Sequence, residues 1–86
     1  MNVARVFELA ETANSTELVW LWYKVSEGSL QALTNTSPAF LHDCMIFHRL
    51  YGKKVVAIIV EWGRQGLRHE EVVESVAESM RTRLEA

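Results

Sequence analysis

Several side chains that could take part in catalysis or bind a metal lie close together between positions 42 and 48. His42, Asp43, Cys44 and His48 stand there, and residues four apart share one face of a helix. Cys44 and His48 could therefore form a thiolate–imidazolium pair or two ligands of a zinc ion. A structural zinc ion needs two further ligands, and Cys44 falls in the middle of an apolar stripe. We therefore predict that both are core or core-edge residues, and we expect no bound metal or cofactor.

Two other patterns that could indicate catalysis are incomplete. Residues 69–73 read His-Glu-Glu-Val-Val, so the second histidine of the zinc-protease motif His-Glu-x-x-His is absent. The four glycines, Gly28, Gly52, Gly63 and Gly66, have neither the spacing of a phosphate-binding loop nor that of a dinucleotide turn. The sequence therefore predicts a protein that is not an enzyme, and it carries no motif specific enough to identify a family.

A cluster of basic residues suggests an alternative function. Residues 63–66 could form the turn of a DNA-binding helix-turn-helix. The helix after that turn begins with Glu70 and Glu71, however, whose carboxylates would repel phosphate, and the chain has a net charge of −2. A helix-turn-helix regulator is thus the alternative to the function proposed below. Its candidate nucleic-acid contacts are Arg49, Lys53, Lys54, Arg64 and Arg68.

Large apolar side chains provide the leading functional hypothesis. A helix over residues 18–25 that turns Leu18, Leu21, Trp22 and Val25 inward would turn its remaining aromatic side chains outward. A helix over residues 55–62 would likewise have a second apolar face. Tryptophan and tyrosine are enriched where proteins bind each other. The predicted partner or dimer interface comprises Trp20, Tyr23, Val56, Val60 and Trp62.

The elements that position these residues are predicted from their periodicity. Asn2 caps a helix over residues 3–13, and Asn14 with Glu17 forms a capping pair before the 18–25 segment. Residues 26–29 break that segment, a short helical turn follows near 30–33, and residues 34–37 form a polar loop. Ser37 and Pro38 then begin a helix that extends to about residue 51, with Gly52 as its end or as a bend.

The 55–62 segment is apolar except for Glu61, so we expect it nearest the centre of the domain. Gly63 or Gly66, followed by Leu67, is typical of a helix end. The last helix is predicted over residues 68–84. These elements predict a single all-α domain, a bundle of four or five helices. The alternative is a small α+β domain, because the 18–25 and 55–62 segments are rich in β-branched and aromatic residues and could pair as strands.

Composition and the N-terminal sequence limit the class of protein. The chain has 86 residues, 49% of them apolar, so part of its apolar surface is expected to be covered by a partner or a second copy. One cysteine excludes a disulfide scaffold. The N-terminal residues do not resemble a signal peptide, and no apolar run is long enough to span a membrane. We therefore predict a cytoplasmic, non-enzymatic protein–protein interaction module. It would act as a homodimeric regulator, inhibitor or adaptor, of the kind found among small phage or plasmid accessory proteins.

Overall fold

The computed structural model describes residues 1–35 and 37–86. Four helices follow one another along the chain: α1 (Val3–Thr12), α2 (Ser15–Asn35), α3 (Pro38–Arg64) and α4 (His69–Glu85). The described residues contain no strand, so the all-α prediction is confirmed. The alternative with strands at 18–25 and 55–62 is wrong because both segments lie inside helices. Over the described ranges, no helix combines the length and the apolar character that crossing a bilayer requires.

Local sequence determines several helix ends. The Asn2 side chain accepts a hydrogen bond from the amide of Arg5 at 3.3 Å and caps α1. Asn14 and Glu17 each accept a bond from the other's backbone amide at 2.9 Å, which is the predicted capping pair. Ser37 occupies the N-cap position of α3 with Pro38 in the first turn, but the serine side chain makes no capping bond.

Helix α2 is longer than predicted. The break expected at residues 26–29 is absent because this part of α2 is packed, with Val25, Gly28 and Ala32 buried. The hydroxyls of Ser26 and Ser29 donate to the carbonyls of Trp22 and Val25, both at 2.9 Å, inside the helix. Serine side chains bonded in this way stay compatible with helical backbone. The turn near 30–33 is part of α2, as are Thr34 and Asn35 of the predicted loop; Thr36 lies outside the described residues.

Helix α3 continues through Gly52 and ends where a glycine permits a left-handed residue. Gly66 has φ of 77°. The amide of Leu67 donates to the carbonyl of Trp62 at 2.9 Å, and the amide of Gly66 donates to that of Gly63 at 3.1 Å. This pair of bonds is the Schellman motif, with glycine at C′. The predicted helix end at Gly66 with Leu67 beyond it is therefore confirmed.

Helix α2 lies at the centre of the bundle, and the 55–62 segment does not. Buried residues of all four helices join in one core cluster, and the largest share comes from α2. In the 55–62 segment only Val55 is buried. The molecule measures 39 × 25 × 22 Å, and 27 residues of α3 rise about 40 Å. Helix α3 thus extends along the whole molecule, and one side of it lies at the surface.

Candidate interaction surface

The five residues predicted as an interface lie in different environments. Val56 and Val60 are exposed to 58% and 47%. Trp62 is half-buried against the core and lines a shallow groove of about 300 Å³ with Ile58 and Glu61. The remaining two, Trp20 and Tyr23, belong to α2 and lie on a different part of the molecule. The predicted set therefore does not form one continuous surface.

The predicted exposure of Trp20 is wrong. Its side chain is only 4% exposed and belongs to the core cluster. The prediction assumed that one side of α2 faces water, whereas Leu18, Val19, Trp20 and Leu21 are all buried. Because 3.6 residues make one turn, four consecutive buried residues mean that α2 is enclosed all round at this level. Trp20 is therefore part of the folding core and does not provide a free binding anchor.

Tyr23 is partly buried in a contact that joins α2 to the first turn of α4. Its hydroxyl lies 2.6 Å from Nδ1 of His69, and Nε2 of His69 lies 3.0 Å from Oε1 of Glu70. A neutral His69 accepts from the tyrosine hydroxyl and donates to the carboxylate. Burial, together with the negative charge of Glu70, raises the pKa of Tyr23. The hydroxyl thus stays protonated and positions α4.

The exposed side of α3 carries a continuous row of side chains. Met45, Arg49, Lys53, Val56 and Val60 follow one another at spacings of four, four, three and four residues, and such spacings place side chains on one side of a helix. The row is about 22 Å long at 1.5 Å per residue. Two further exposed side chains flank it. We call this surface the α3 face: Met45, Arg49, Leu50, Lys53, Lys54, Val56 and Val60.

The apolar members of the α3 face are unusually accessible. Met45 is 55% exposed and Leu50 is 63% exposed, in addition to the two valines. Sequence reasoning did not include either residue in the predicted interface. The signal that could have found Met45 was its spacing of four and eight residues from the basic residues Arg49 and Lys53, which places it on the same side of the helix.

The five candidate nucleic-acid contacts are all exposed, but their charges differ in how far they are neutralised. Arg64 lies 3.5 Å from Glu61 and Arg68 lies 3.9 Å from Glu71. Arg49, Lys53 and Lys54 form no ion pair with any residue that the structure describes. The uncompensated positive charge is thus concentrated on the α3 face, away from the 63–66 turn.

Helix α4 does not present a surface suited to DNA. Its solvent side carries Glu70, Glu71, Glu74 and Glu78, all of them exposed. The carboxylate of Glu70 has a pKa below its usual value, chiefly because it accepts a bond from its own backbone amide. This helix would occupy the recognition position in a helix-turn-helix. Its carboxylates would repel the phosphates that such a helix must approach.

Of the residues first considered for chemistry, Cys44 and His48 lie in the core or at its edge, whereas His42 and Asp43 are exposed. Cys44 is fully buried, and His48 packs its ring 4.6 Å from that of Trp22. Nε2 of His48 is buried with no hydrogen-bond partner, and burial lowers the pKa of His48. The described residues contain no group of three side chains that could hold a metal ion. The prediction that Cys44 is a core residue is confirmed.

A further cavity lies where α1, α2 and α4 meet. It measures about 560 Å³, and its lining mixes opposite charges, including Arg5, Lys24, Glu27 and Arg81. Lys24 is already engaged: its ammonium lies 3.5 Å from Glu27 and 5.4 Å from the centre of the Trp20 ring. The cavity shows no convergent set of groups of one chemical kind.

No protein-family model matches this sequence, and comparisons with curated proteins and with solved structures also give no match. The geometry of the α3 face is therefore the basis of the functional argument.

Proposed function

We propose that this protein is a small non-enzymatic interaction module that acts as a regulator, inhibitor or adaptor by docking the α3 face on a partner protein. One observation supports this proposal above the others. Met45, Leu50, Val56 and Val60 come from a single helix, and each is about half exposed or more. Val56 and Val60 are neighbours one turn apart, and Met45 and Leu50 follow along the helix with basic residues between them. Exposed apolar side chains rimmed by polar residues are characteristic of protein-binding surfaces.

The fold itself does not need these apolar side chains. Helix α3 contributes Cys44, Phe47 and Val55 to the core from its other side. An apolar stripe about 100° wide is sufficient to attach a helix to a bundle. Exposed leucine and valine beyond that stripe favour association and reduce solubility. Packing within one chain does not explain why these side chains are apolar, whereas binding to a partner does.

The predicted homodimer remains a prediction, since the α3 face could serve self-association as well as a partner. The exposed side of α4 is acidic, and this disfavours the helix-turn-helix alternative. We therefore favour a protein partner over DNA.

Site-specific photo-cross-linking tests this function. A photoreactive amino acid would replace Val56, or separately Val60, in the full chain, expressed in the cells that naturally make it. Ser75 is the matched control position, because it is exposed in the middle of α4 on a different surface. We expect adducts from positions 56 and 60 and none from position 75.

The mass of the adduct identifies the kind of partner. An adduct of twice the chain mass of 9.9 kDa would indicate a homodimer, and any other mass would indicate a different protein. Replacing the valine that is not labelled by glutamate should then remove the adduct while far-UV circular dichroism stays unchanged. Absence of adducts from both valine positions, or equal yields from position 75, would contradict the proposal.

A further inference from the structure

We propose that the partner of the α3 face is an acidic amphipathic helix of another protein. This inference rests on the proposed function and goes further, because it specifies the chemistry of the partner.

Most positive charges of this protein are neutralised within the chain, and those of the α3 face are not. Of the nine lysine and arginine residues, five form ion pairs with carboxylates. The other four, among the described residues, are Arg49, Lys53, Lys54 and Arg81. Three of these four stand within six positions of α3 and are exposed. The α3 face is therefore the main site of unpaired positive charge.

The helix would be more stable if these charges were compensated. Arg49 and Lys53 are four residues apart, and a like-charge pair at that spacing destabilises a helix by about 0.2–0.5 kcal/mol. Positions 45, 46, 50, 56 and 57, which are three or four residues away from one or both of them, carry no carboxylate. A carboxylate on a partner would supply the compensation that α3 itself lacks.

A second copy of this chain fits the α3 face poorly. Pairing two α3 faces antiparallel along their whole length would place the two-fold axis near residue 53. Lys53 and Lys54 of both copies would then meet, and like charges placed opposite each other oppose association. The acidic side of α4 could offer carboxylates. However, no large apolar residue of α4 is exposed, so that helix has nothing to cover Val56 and Val60. The partner must combine a row of acidic side chains with apolar ones. Among the described residues, exposed apolar side chains lie near carboxylates at Leu30 and Leu33 with Glu27 on α2, and at Leu67 before the acidic first turn of α4. Neither place repeats acidic and apolar side chains over four turns.

A membrane surface fits the α3 face less well than an acidic helix does. A helix that lies in a lipid interface separates its apolar side from its charged side. On α3 the two kinds are interleaved: Lys53 is three residues from Val56 and three from Leu50. Inserting the valines would draw that ammonium toward the acyl chains. A helix with alternating acidic and apolar side chains can pair with both kinds at once.

The row from Met45 to Val60 also indicates the size of the partner segment. A complementary helix would cover about 22 Å, or roughly four turns. Apolar residues at a and d positions would contact Met45, Leu50, Val56 and Val60, and carboxylates at e and g positions would approach Arg49, Lys53 and Lys54. The strength of these charge contacts should fall as the ionic strength rises, because the charges lie at the surface and are screened by salt.

Two synthetic peptides test the inference with the full chain. Both carry leucine at a and d over three heptads, one with glutamate and the other with lysine at e and g. Fluorescence anisotropy of labelled peptide gives the two affinities. We expect the glutamate peptide to bind at least about tenfold more tightly, a difference of about 1.4 kcal/mol. We also expect its affinity to fall as the salt concentration is raised.

Charge reversal supplies the controls. The double variant Arg49→Glu/Lys53→Glu should reverse the preference and bind the lysine peptide more tightly. Arg81→Glu removes the fourth unpaired cation, which lies on α4, and should leave the preference unchanged. Circular dichroism verifies that each variant is folded.

Three results would overturn the inference. They are equal affinity for the two peptides, no binding of either, or binding to anionic vesicles or duplex DNA that is stronger than binding to the glutamate peptide. The cross-linking from positions 56 and 60 is measured independently. Adducts without a preference for the glutamate peptide would remove the acidic helix and keep the interaction function, whereas absence of adducts would remove the function itself.

Discussion

The 18–25 and 55–62 segments are similar in apolar composition and differ in their surroundings. Both are eight residues long and mostly apolar. In α2, five of the eight residues are buried, whereas in α3 only Val55 is. The two tryptophans predicted at the surface show the same contrast, since Trp20 is enclosed and Trp62 lies at the edge of the core.

The difference shows that apolar composition alone does not reveal what covers a helix. Helix α2 packs against α1, α3 and α4, so the chain itself encloses it. Helix α3 extends along the molecule, and its outer side has no neighbour among the described residues. An apolar face that a chain does not cover is available to another molecule. The two segments therefore make different contributions, one to folding and the other to the proposed binding.

The largest effect should come from removing the indole of Trp20. We expect Trp20→Ala to destabilise the protein by about 3–5 kcal/mol, because truncating a buried tryptophan leaves a cavity. Urea denaturation followed by circular dichroism measures this loss. A small domain has a total stability of about 5–15 kcal/mol, so the variant should be partly unfolded at moderate temperature. A loss below about 1 kcal/mol would mean that Trp20 is not enclosed as described.

A matched pair of valines compares the two segments directly. Val19 is fully buried, and Val56 is 58% exposed. We expect Val19→Ala to destabilise the protein by about 2 kcal/mol, from lost burial of two carbon atoms together with a cavity. Val56→Ala should change the stability by less than about 0.5 kcal/mol. Urea denaturation measures both, and similar losses would show that the two segments are equally covered.

Alanine substitutions at two helix glycines should change the stability by smaller and unequal amounts. A Cβ atom on Gly52 would lie 3.5 Å from the ring of Trp22, an ordinary contact. Gly52→Ala should therefore stabilise α3 by about 0.5–1 kcal/mol. On Gly28 the same atom would lie 2.8 Å from Cε of Met1 and 3.1 Å from Cζ of Phe40, so we expect a smaller gain or a loss. Thermal melts of both variants measure the two changes in stability. A larger gain in stability for Gly28→Ala than for Gly52→Ala would contradict this prediction.

The smallest effect concerns His48, which lies on α3 where that helix packs against Trp22. Burial lowers the pKa of His48 below its ordinary value of 6.5, so the unfolded chain binds the proton more readily than the folded chain does. Stability should therefore fall as the pH drops through 6.5 toward the folded-state value. His48→Gln should flatten this dependence in thermal melts at a series of pH values. His42→Gln, at an exposed position of the same helix, is the control, and an equal effect of both substitutions would contradict the assignment.

Local features of the fold were predictable, and the arrangement of the helices was not. The Asn14–Glu17 capping pair, the Pro38 start and the Gly66 end depend on bonds between residues at most five positions apart. The break predicted at residues 26–29 was wrong, whereas at Gly52 a continuing helix was one of the two alternatives. Serine and glycine weaken a helix in isolation. Here burial of Val25, Gly28 and Ala32 in α2, and of Phe47 and Val55 on either side of Gly52 in α3, favours the helix.

The candidate surface was predictable only in part. Val56 and Val60 were placed outward correctly because α3 has the periodicity that the pattern indicated. Trp20 was placed outward incorrectly, because its position depends on how many helices surround α2. The basic residues Arg49, Lys53 and Lys54 were recognised as a group. Four of the five lysine and arginine ion pairs join residues three apart and follow from spacing, whereas the Arg83–Glu17 pair needs the tertiary structure.

The sequence by itself determined that this protein is helical, where most of its helices begin and end, and which side chains are apolar on each turn. These properties follow from hydrogen bonds and periodicity within a few residues of the chain. The tertiary structure alone decided that α2 is the central helix and that α3 keeps an exposed apolar and basic face. Burial depends on contacts between residues far apart in the chain, such as Arg83 with Glu17 at 2.8 Å and Tyr23 with His69 at 2.6 Å, and no local pattern specifies them.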